Sequence, residues 1–338
     1  MTAFAIAACQ NQANQPSNDT ISTVSSDVAD CRTIEHKMGE TEICGQPQRI
    51  VVFGPYLLEL LLALTIQPVG FADHNVFHRG DFTHPSQQIP YLGSRITQPI
   101  VNVGDSNSPS IEAILKAQPD LILSSNVGDT AQYQTLSEIA PTLALQYDQV
   151  EENLKTIAKA VNRPDQSDQM LVDMEQKIAV MRETFASFVE IHPKVLLLQM
   201  IRFPDIYLGN YTYGNCSPLL KKLGFQLVSP PGFDDVKPEP WAPISLETLP
   251  QLNDADLVII LGRRIGAIRQ LDGTDHFEEN QISHIKQAWE ENSIAQSLDA
   301  SKAGQVYFIP YHLCTTLPGP IGTELYLEEL QEQLLLSN

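Results

Sequence analysis

The side chains able to do chemistry in this chain are cations and aromatics that follow short apolar runs. Tyr56 comes just after Ile50-Val51-Val52-Phe53, and Asn126 just after Leu121-Ile122-Leu123-Ser124. Arg202 follows the run Val195–Met200, and Arg263 and Arg264 directly end Leu257–Gly262. Tyr311 and His312 come after the run Val306–Ile309, and Tyr211, Tyr213 and Trp241 stand in intervening segments. The stretch from Asp73 to Arg95 adds Arg79 and Arg95. If the apolar runs are strands of parallel sheets, these residues lie at carboxyl ends, where open α/β sheets bind ligands. A guanidinium's planar fork pairs with carboxylates and similar oxyanions. Tyr and Trp add flat apolar walls with a polar edge. The chemistry they offer is the holding of an anionic, oxygen-rich molecule. A salt bridge or a core aromatic explains each residue taken alone. Arg263 and Arg264 differ in ending a buried strand, which places at least one of them in the cleft.

Asp73, His74, His78, Asp81 and His84 form a second cluster, with His74 and His78 at helical spacing. Such donors can coordinate a bare metal ion. A polar loop containing Gly80 and Pro85 accounts for them as well, and no metal or other cofactor is expected. There is no nucleophile–base pattern, phosphate-binding glycine loop or clustered Cys/His motif. A metal-dependent enzyme or chelatase on a two-lobed α/β scaffold would have the His74–His84 loop as its one candidate site.

The elements that must position these residues come in two copies. Ser110-Ile111-Glu112-Ala113-Ile114 leads into Asp120-Leu121-Ile122-Leu123, and Ser245-Leu246-Glu247-Thr248-Leu249 leads into Asp256-Leu257-Val258-Ile259-Ile260. Each copy predicts a Ser-capped helix feeding a buried strand. Upstream of each lies a Pro-x-basic strand segment, Pro47-Gln48-Arg49-Ile50 and Pro193-Lys194-Val195-Leu196. Short apolar strands alternating with helices predict parallel sheets covered on both faces. Between the copies, Leu171, Met174, Ile178, Met181, Phe185 and Phe188 recur every three or four residues. That spacing predicts one long helix over 166–191, with its apolar seam lying along both halves as a strut. The expected architecture is therefore α/β: two Rossmann-like lobes with mainly parallel sheets, joined by one long α-helix. The segments are a tether over 1–30, a hairpin over 31–46, lobes over 47–165 and 192–338, and the connecting helix.

With 338 residues, 43% of them hydrophobic, the chain is long enough for two ordinary cores. Forty-one acidic against 21 basic residues give a net charge of −20, which argues against a nucleic-acid partner. Its apolar runs are too short to cross a bilayer. Ile6-Ala7-Ala8-Cys9 resembles the lipobox of bacterial lipoproteins, so Cys9 is the expected lipid attachment point and Met1 is expected to lie inside a longer signal peptide. Residues 10–30, rich in Asn, Gln, Ser, Thr and Asp, are expected to form a flexible tether. The other four cysteines, Cys31, Cys44, Cys216 and Cys314, allow three disulfide connectivities. Local closure of the hairpin by Cys31–Cys44, leaving Cys216 with Cys314, is favoured, and free thiols are the alternative in a reducing compartment.

The order of these motifs resembles the periplasmic binding proteins for ferric siderophores and vitamin B12. The resemblance runs from Pro-x-Arg-Ile-Val-Val through both Ser-x-Glu helices, the long helix and Leu220-Lys221-Lys222-Leu223-Gly224-Phe225 to the closing Gly319-Pro320-Ile321-Gly322 helix. It covers roughly residues 31–336, and the hairpin with His36 and Gly39-Glu40-Thr41 is most similar to the ferric-citrate and hydroxamate branch. The resemblance implies a monomeric solute-binding protein, not an enzyme, lipid-anchored in the periplasm. Its cargo would be a chelated Fe(III), delivered to an ABC-transporter permease dimer, with a cobalamin or haem carrier as the alternative. It also implies that Glu112 and Glu247 dock into arginine pockets of that permease. The hydroxamate branch often carries an Arg where this chain reads Val103-Gly104-Asp105-Ser106, leaving Arg95 or Arg79 to supply that charge.

Overall fold

The computed structural model describes Met1 and residues 30–73, 84–125, 130–147, 149–211, 214–230, 242–264 and 276–336. The chain opens with strands β1 (Cys31–His36) and β2 (Gly39–Cys44), an antiparallel hairpin in which Cys31 faces Cys44 and the two are joined by a disulfide. The hairpin is fastened to the first lobe by the Arg32 guanidinium, which donates to the carbonyls of Lys159 and Ala160. Thr41 adds a hydroxyl bond to the Thr142 carbonyl at 3.1 Å.

The first lobe comprises β3 (Ile50–Phe53), α1 (Pro55–Ala63), β4 (Gly70–Asp73), α2 (Pro85–Gln88), β5 (Val101–Asp105), β6 (Ser108–Pro109), α3 (Ile111–Ala117), β7 (Leu121–Ser124), α4 (Thr130–Ser137), β8 (Thr142–Ala144) and α5 (Val150–Ala160). Its sheet runs β6-β5-β4-β3-β7-β8, parallel except at the β5–β6 edge. β3 and β7 are buried at every residue, as apolar strands between two helical layers must be, with Ser124 at the end of β7 the one polar side chain among them.

Helix α6 (Pro164–Ile191) follows. Its 28 residues span about 42 Å at 1.5 Å per residue. It starts two residues before the expected Gln166, because Pro164 sits in the first turn, where its missing N–H costs nothing. The seam divides between the lobes: Met170 and Leu171 pack on the first core, and Ile178, Met181, Phe185 and Phe188 belong to the second. The helix is thus a strut between the two. Among the described residues no helix is long and apolar enough to cross a membrane.

The second lobe comprises β9 (Lys194–Met200), β10 (Ile206–Leu208), α7 (Cys216–Leu223), β11 (Gln226–Leu227), β12 (Ala242–Ile244), β13 (Leu257–Gly262), α8 (Phe277–Glu291), α9 (Asp299–Lys302), β14 (Val306–Pro310) and α10 (Pro320–Gln331). Its sheet order is β12-β10-β9-β13-β14, with β9, β13 and β14 parallel and β10 and β12 antiparallel. A buried Cys216–Cys314 disulfide ties the start of α7 to the segment after β14.

The internal repeat is structural as well as sequential. Asp120 accepts the backbone N–H groups of Gln48 and Arg49, each at 2.8 Å, and Asp256 accepts that of Lys194 at 2.7 Å. In each lobe the Asp before the second strand clamps the entrance of the first. The repeat fails at its helices. Ser110 caps α3 by accepting the Ala113 N–H at 3.3 Å, as expected. Ser245 makes no such cap, and Leu246–Leu252 is a 3-10 helix rather than an α-helix. Pro250 inside that segment has no N–H to donate one turn back, so a regular α-helix cannot run through it.

Candidate ligand-binding cleft

Segments that follow parallel strands of the two lobes meet, Tyr147 after β8 reaching Thr315 after β14. In the first lobe the chain leaves β3 through Gly54, at a φ of 84°, and Pro55 starts α1 at once. Tyr56 is thereby buried at the strand end. Its hydroxyl accepts a hydrogen bond from Asn153 Nδ2 at 2.6 Å, and its ring lies tilted on that of Tyr147, with centroids 4.9 Å apart. Tyr147, three residues beyond β8, donates its hydroxyl to the Thr315 carbonyl of the second lobe at 2.7 Å.

In the second lobe, Gly262 and Pro310 are paired in register at the ends of β13 and β14. The next residue of each chain segment is Arg263 and Tyr311. The Arg263 guanidinium carbon lies 5.3 Å from the Tyr311 ring centroid, within cation–π range. Arg263 Nε is buried and has no hydrogen-bond partner among the described residues. His312, also buried, shares a 2.8 Å hydrogen bond between its Nδ1 and the Thr316 hydroxyl, and its ring lies tilted against that of Phe277, with centroids 5.5 Å apart. Phe277 meets Tyr91 of the first lobe edge-on at 5.6 Å. Arg264 faces solvent, its backbone N–H donating to Gln281 Oε1 at 2.9 Å.

Burial pushes the Tyr311 hydroxyl above the ordinary phenol range, with Arg263 opposing. Burial raises Tyr147 still further; Tyr311, Tyr56 and Glu59 add to the shift and Arg263 opposes it. Tyr147 therefore lies within electrostatic reach of groups from both lobes. Its hydroxyl and that of Tyr311 stay neutral, and Arg263 is the cation among them. Such a group can hold a flat or rounded ligand by ring contact while pairing one of its anionic oxygens.

Of the strand-end residues read from the sequence, Tyr56, Arg263, Tyr311 and His312 take up this arrangement. Arg95 does not. Gln67, which precedes β4, bonds the Arg95 carbonyl and the Thr97 N–H, so Arg95 sits at the amino end of the sheet. A crossover between parallel strands must return to that end before β5 can start, which the distance in sequence from β4 does not reveal. There its guanidinium faces Glu324 of α10 at 3.9 Å. Arg202 does follow β9 but is exposed and ion-paired with Asp205 three residues on. Arg79, Asn126, Tyr213, Trp241, His74, His78 and Cys9 lie outside the described residues, as does the Tyr211 side chain. His84 precedes α2 and is exposed. Among the described residues, Cys31, Glu42 and Cys44 are close enough to share a metal ion, but their two sulfurs are joined to each other. Sequence reasoning missed Tyr147 and Asn153. The signal for Tyr147 was the short strand Thr142–Ala144, too brief to mark its end as a site.

Residues 50–313 match the family model described as periplasmic binding protein. The chain is a periplasmic binding protein. The Fe(3+)-citrate-binding protein YfmC of Bacillus subtilis is 27% identical over 288 residues, covering 83% of this chain and 79% of that one. The probable siderophore-binding lipoprotein YfiY of the same organism is 25% identical over 342 residues, covering 99% and 95%. Among solved structures, Staphylococcus aureus SirA complexed with staphyloferrin B superposes with a TM-score of 0.66 at 22% identity, covering 89% of this chain and 97% of that one. These relatives are solute-binding proteins, and this periplasmic binding protein is likewise not an enzyme. Two exposed carboxylates stand at matching places on the lobes of this periplasmic binding protein. Glu112 lies in the first turn of α3 beside the exposed Ile111 and Leu115. Glu247 lies in the first turn of the 3-10 helix, where its own N–H and the Ser245 hydroxyl hold its carboxyl below the usual range.

Proposed function

We propose that this protein captures an anionic ferric chelate, ferric citrate or a citrate–hydroxamate siderophore, in the cleft between its lobes. The chelate stays intact, and its iron is cargo rather than cofactor. The observation that carries this reading is Arg263: a guanidinium at a strand end, set against Tyr311, with a buried Nε that has no partner among the described residues. A half-buried guanidinium with a buried, unpartnered N–H gains most from an anionic oxygen. The named cargoes of the relatives, ferric citrate and siderophores, support the same class. In this reading the monomeric protein is anchored outside the cytoplasm by a lipid on Cys9. It delivers its cargo to an ABC-transporter permease dimer through Glu112 and Glu247, one on each lobe.

Tryptophan-fluorescence titration against ferric citrate, a panel of ferric siderophores, cobalamin and haem tests the assignment. Saturable binding of a ferric carboxylate or hydroxamate chelate is expected. Binding of cobalamin or haem alone overturns it.

A further inference from the structure

Glu59 is the one charged residue of α1 and is fully buried. Helix α1 belongs to the first lobe, yet the carboxyl is seated by the second. Its Oε2 accepts the Gly319 N–H at 3.0 Å and its Oε1 accepts the Gly322 N–H at 2.6 Å, at the start of α10. Both glycines are demanded by close approach. A Cβ on Gly319 would come within 2.9 Å of Glu59 Cδ, and one on Gly322 within 1.7 Å of the Leu317 carbonyl oxygen. Glu59 sits one helical turn along α1 from Tyr56, and Tyr147 lies within electrostatic reach of both Glu59 and Arg263.

We propose that Glu59 is a proton-linked positioning residue: entry of an anionic chelate into the cleft is accompanied by uptake of a proton from solvent on the Glu59 carboxyl at the joint between the lobes. The inference rests on the proposed function. No bond in the chelate changes; a carboxylate and a proton become a carboxylic acid.

Burial pushes the Glu59 carboxyl up to about 8, against the opposing pull of the α10 N–H groups and of Arg95. The ligand-free protein therefore holds both forms near that pH. A second negative charge arriving nearby disfavours the ionised form and draws a proton in. The other groups around the joint do not change charge there. Arg95 and Lys177 are both paired with Glu324, and burial holds Tyr147 neutral. His312, beyond Tyr311, is common to parent and variant and drops out of their difference.

The test is titration calorimetry of ferric citrate and of ferric aerobactin, a citrate–hydroxamate chelate, at pH near 8 in two buffers of different ionisation enthalpy. Parent protein and Glu59→Gln are compared, so that proton exchange by the chelates themselves cancels. If binding raises the Glu59 value by about one unit, the parent takes up about 0.4 proton more than the variant. Its affinity then falls about tenfold more between about pH 7 and pH 10. Equal proton uptake and equal pH profiles for parent and variant overturn the proposal. An infrared titration of the unsubstituted protein needs no variant: a protonated buried carboxyl band that disappears near pH 8 supports the proposal, and its absence at pH 6 overturns it. A protein that binds neither chelate contradicts the proposed function, and the proposal falls with it. Binding without the differential uptake overturns the proposal alone.

Discussion

Replacing Arg263 and Arg264 one at a time separates a ligand contact from a surface charge. The two are adjacent in sequence but not in environment. Arg263 turns inward against Tyr311 with its Nε buried, and Arg264 faces solvent. Among the described residues Arg263 has no carboxylate partner within ion-pair distance, so removing it leaves no buried acid stranded and the fold should keep its melting temperature. Loss of one charge-assisted hydrogen bond to a ligand costs about 1.5–3 kcal/mol, roughly ten- to a hundredfold in affinity. Arg263→Ala should therefore weaken a ferric chelate by that factor. Arg263→Lys should fall between the two, since an ammonium keeps the charge but loses the planar fork and the stacking on Tyr311. Arg264→Ala should change affinity by less than about twofold, its charge being solvated and screened. Raising salt should weaken the parent's binding only modestly, because a partly buried pair is shielded from counter-ions. Titration calorimetry with the tightest-binding chelate of the panel, alongside thermal melts, measures all of this. Equal losses for the two alanine variants, or none for Arg263→Ala, would refute the assignment of the anion to Arg263.

Glu112→Ala combined with Glu247→Ala should abolish uptake in cells and leave chelate affinity unchanged; a double variant that transports normally, or loses binding, contradicts the docking role. Removing the Cys216–Cys314 disulfide, which closes 98 residues, should lower unfolding free energy by about 4–5 kcal/mol on the chain-entropy account, against about 3 for the 13-residue Cys31–Cys44 loop, as read from denaturant melts. Glu59, raised from 4.5 to about 8 by burial, contributes stability that is complete below its unfolded value and lost as pH rises through about 8. Melting temperature should therefore fall between pH 6 and 9 more steeply in the parent than in Glu59→Gln, and parallel profiles would contradict that environment. Expressed from its native gene the protein should be lipidated at Cys9, and Cys9→Ser should release it from membranes in a fractionation assay.

The parts of the fold legible in the sequence were those where one residue class had to occupy one environment. β3, β7, β9 and β13 are apolar almost throughout because both faces of a parallel strand are covered, and they were read to within a residue. The strut was legible because a seam that serves two cores must repeat over its whole length. Strand β5, Val101-Asn102-Val103-Gly104-Asp105, mixes apolar and polar residues and is only partly buried, and β10 and β12 have three residues each, too few to show a period. Arg263 and Tyr311 were legible as strand-end neighbours because each directly follows a recognisable strand. Arg95 was misplaced because sequence distance does not say to which end of a sheet a crossover has returned. Glu59 is one carboxyl among the leucines of α1, a sign that something buried must satisfy it, but the sequence does not say what. Its partners lie 260 and 263 residues away, and only the fold brings them together.

The most direct test is a crystal structure of the protein in complex with the ferric chelate it binds most tightly. The chelate should lie between the lobes with an anionic oxygen on the Arg263 guanidinium and in contact with Tyr311 and Tyr147. A chelate seated elsewhere, for instance against residues 74–84 with Arg263 unengaged, would contradict the account.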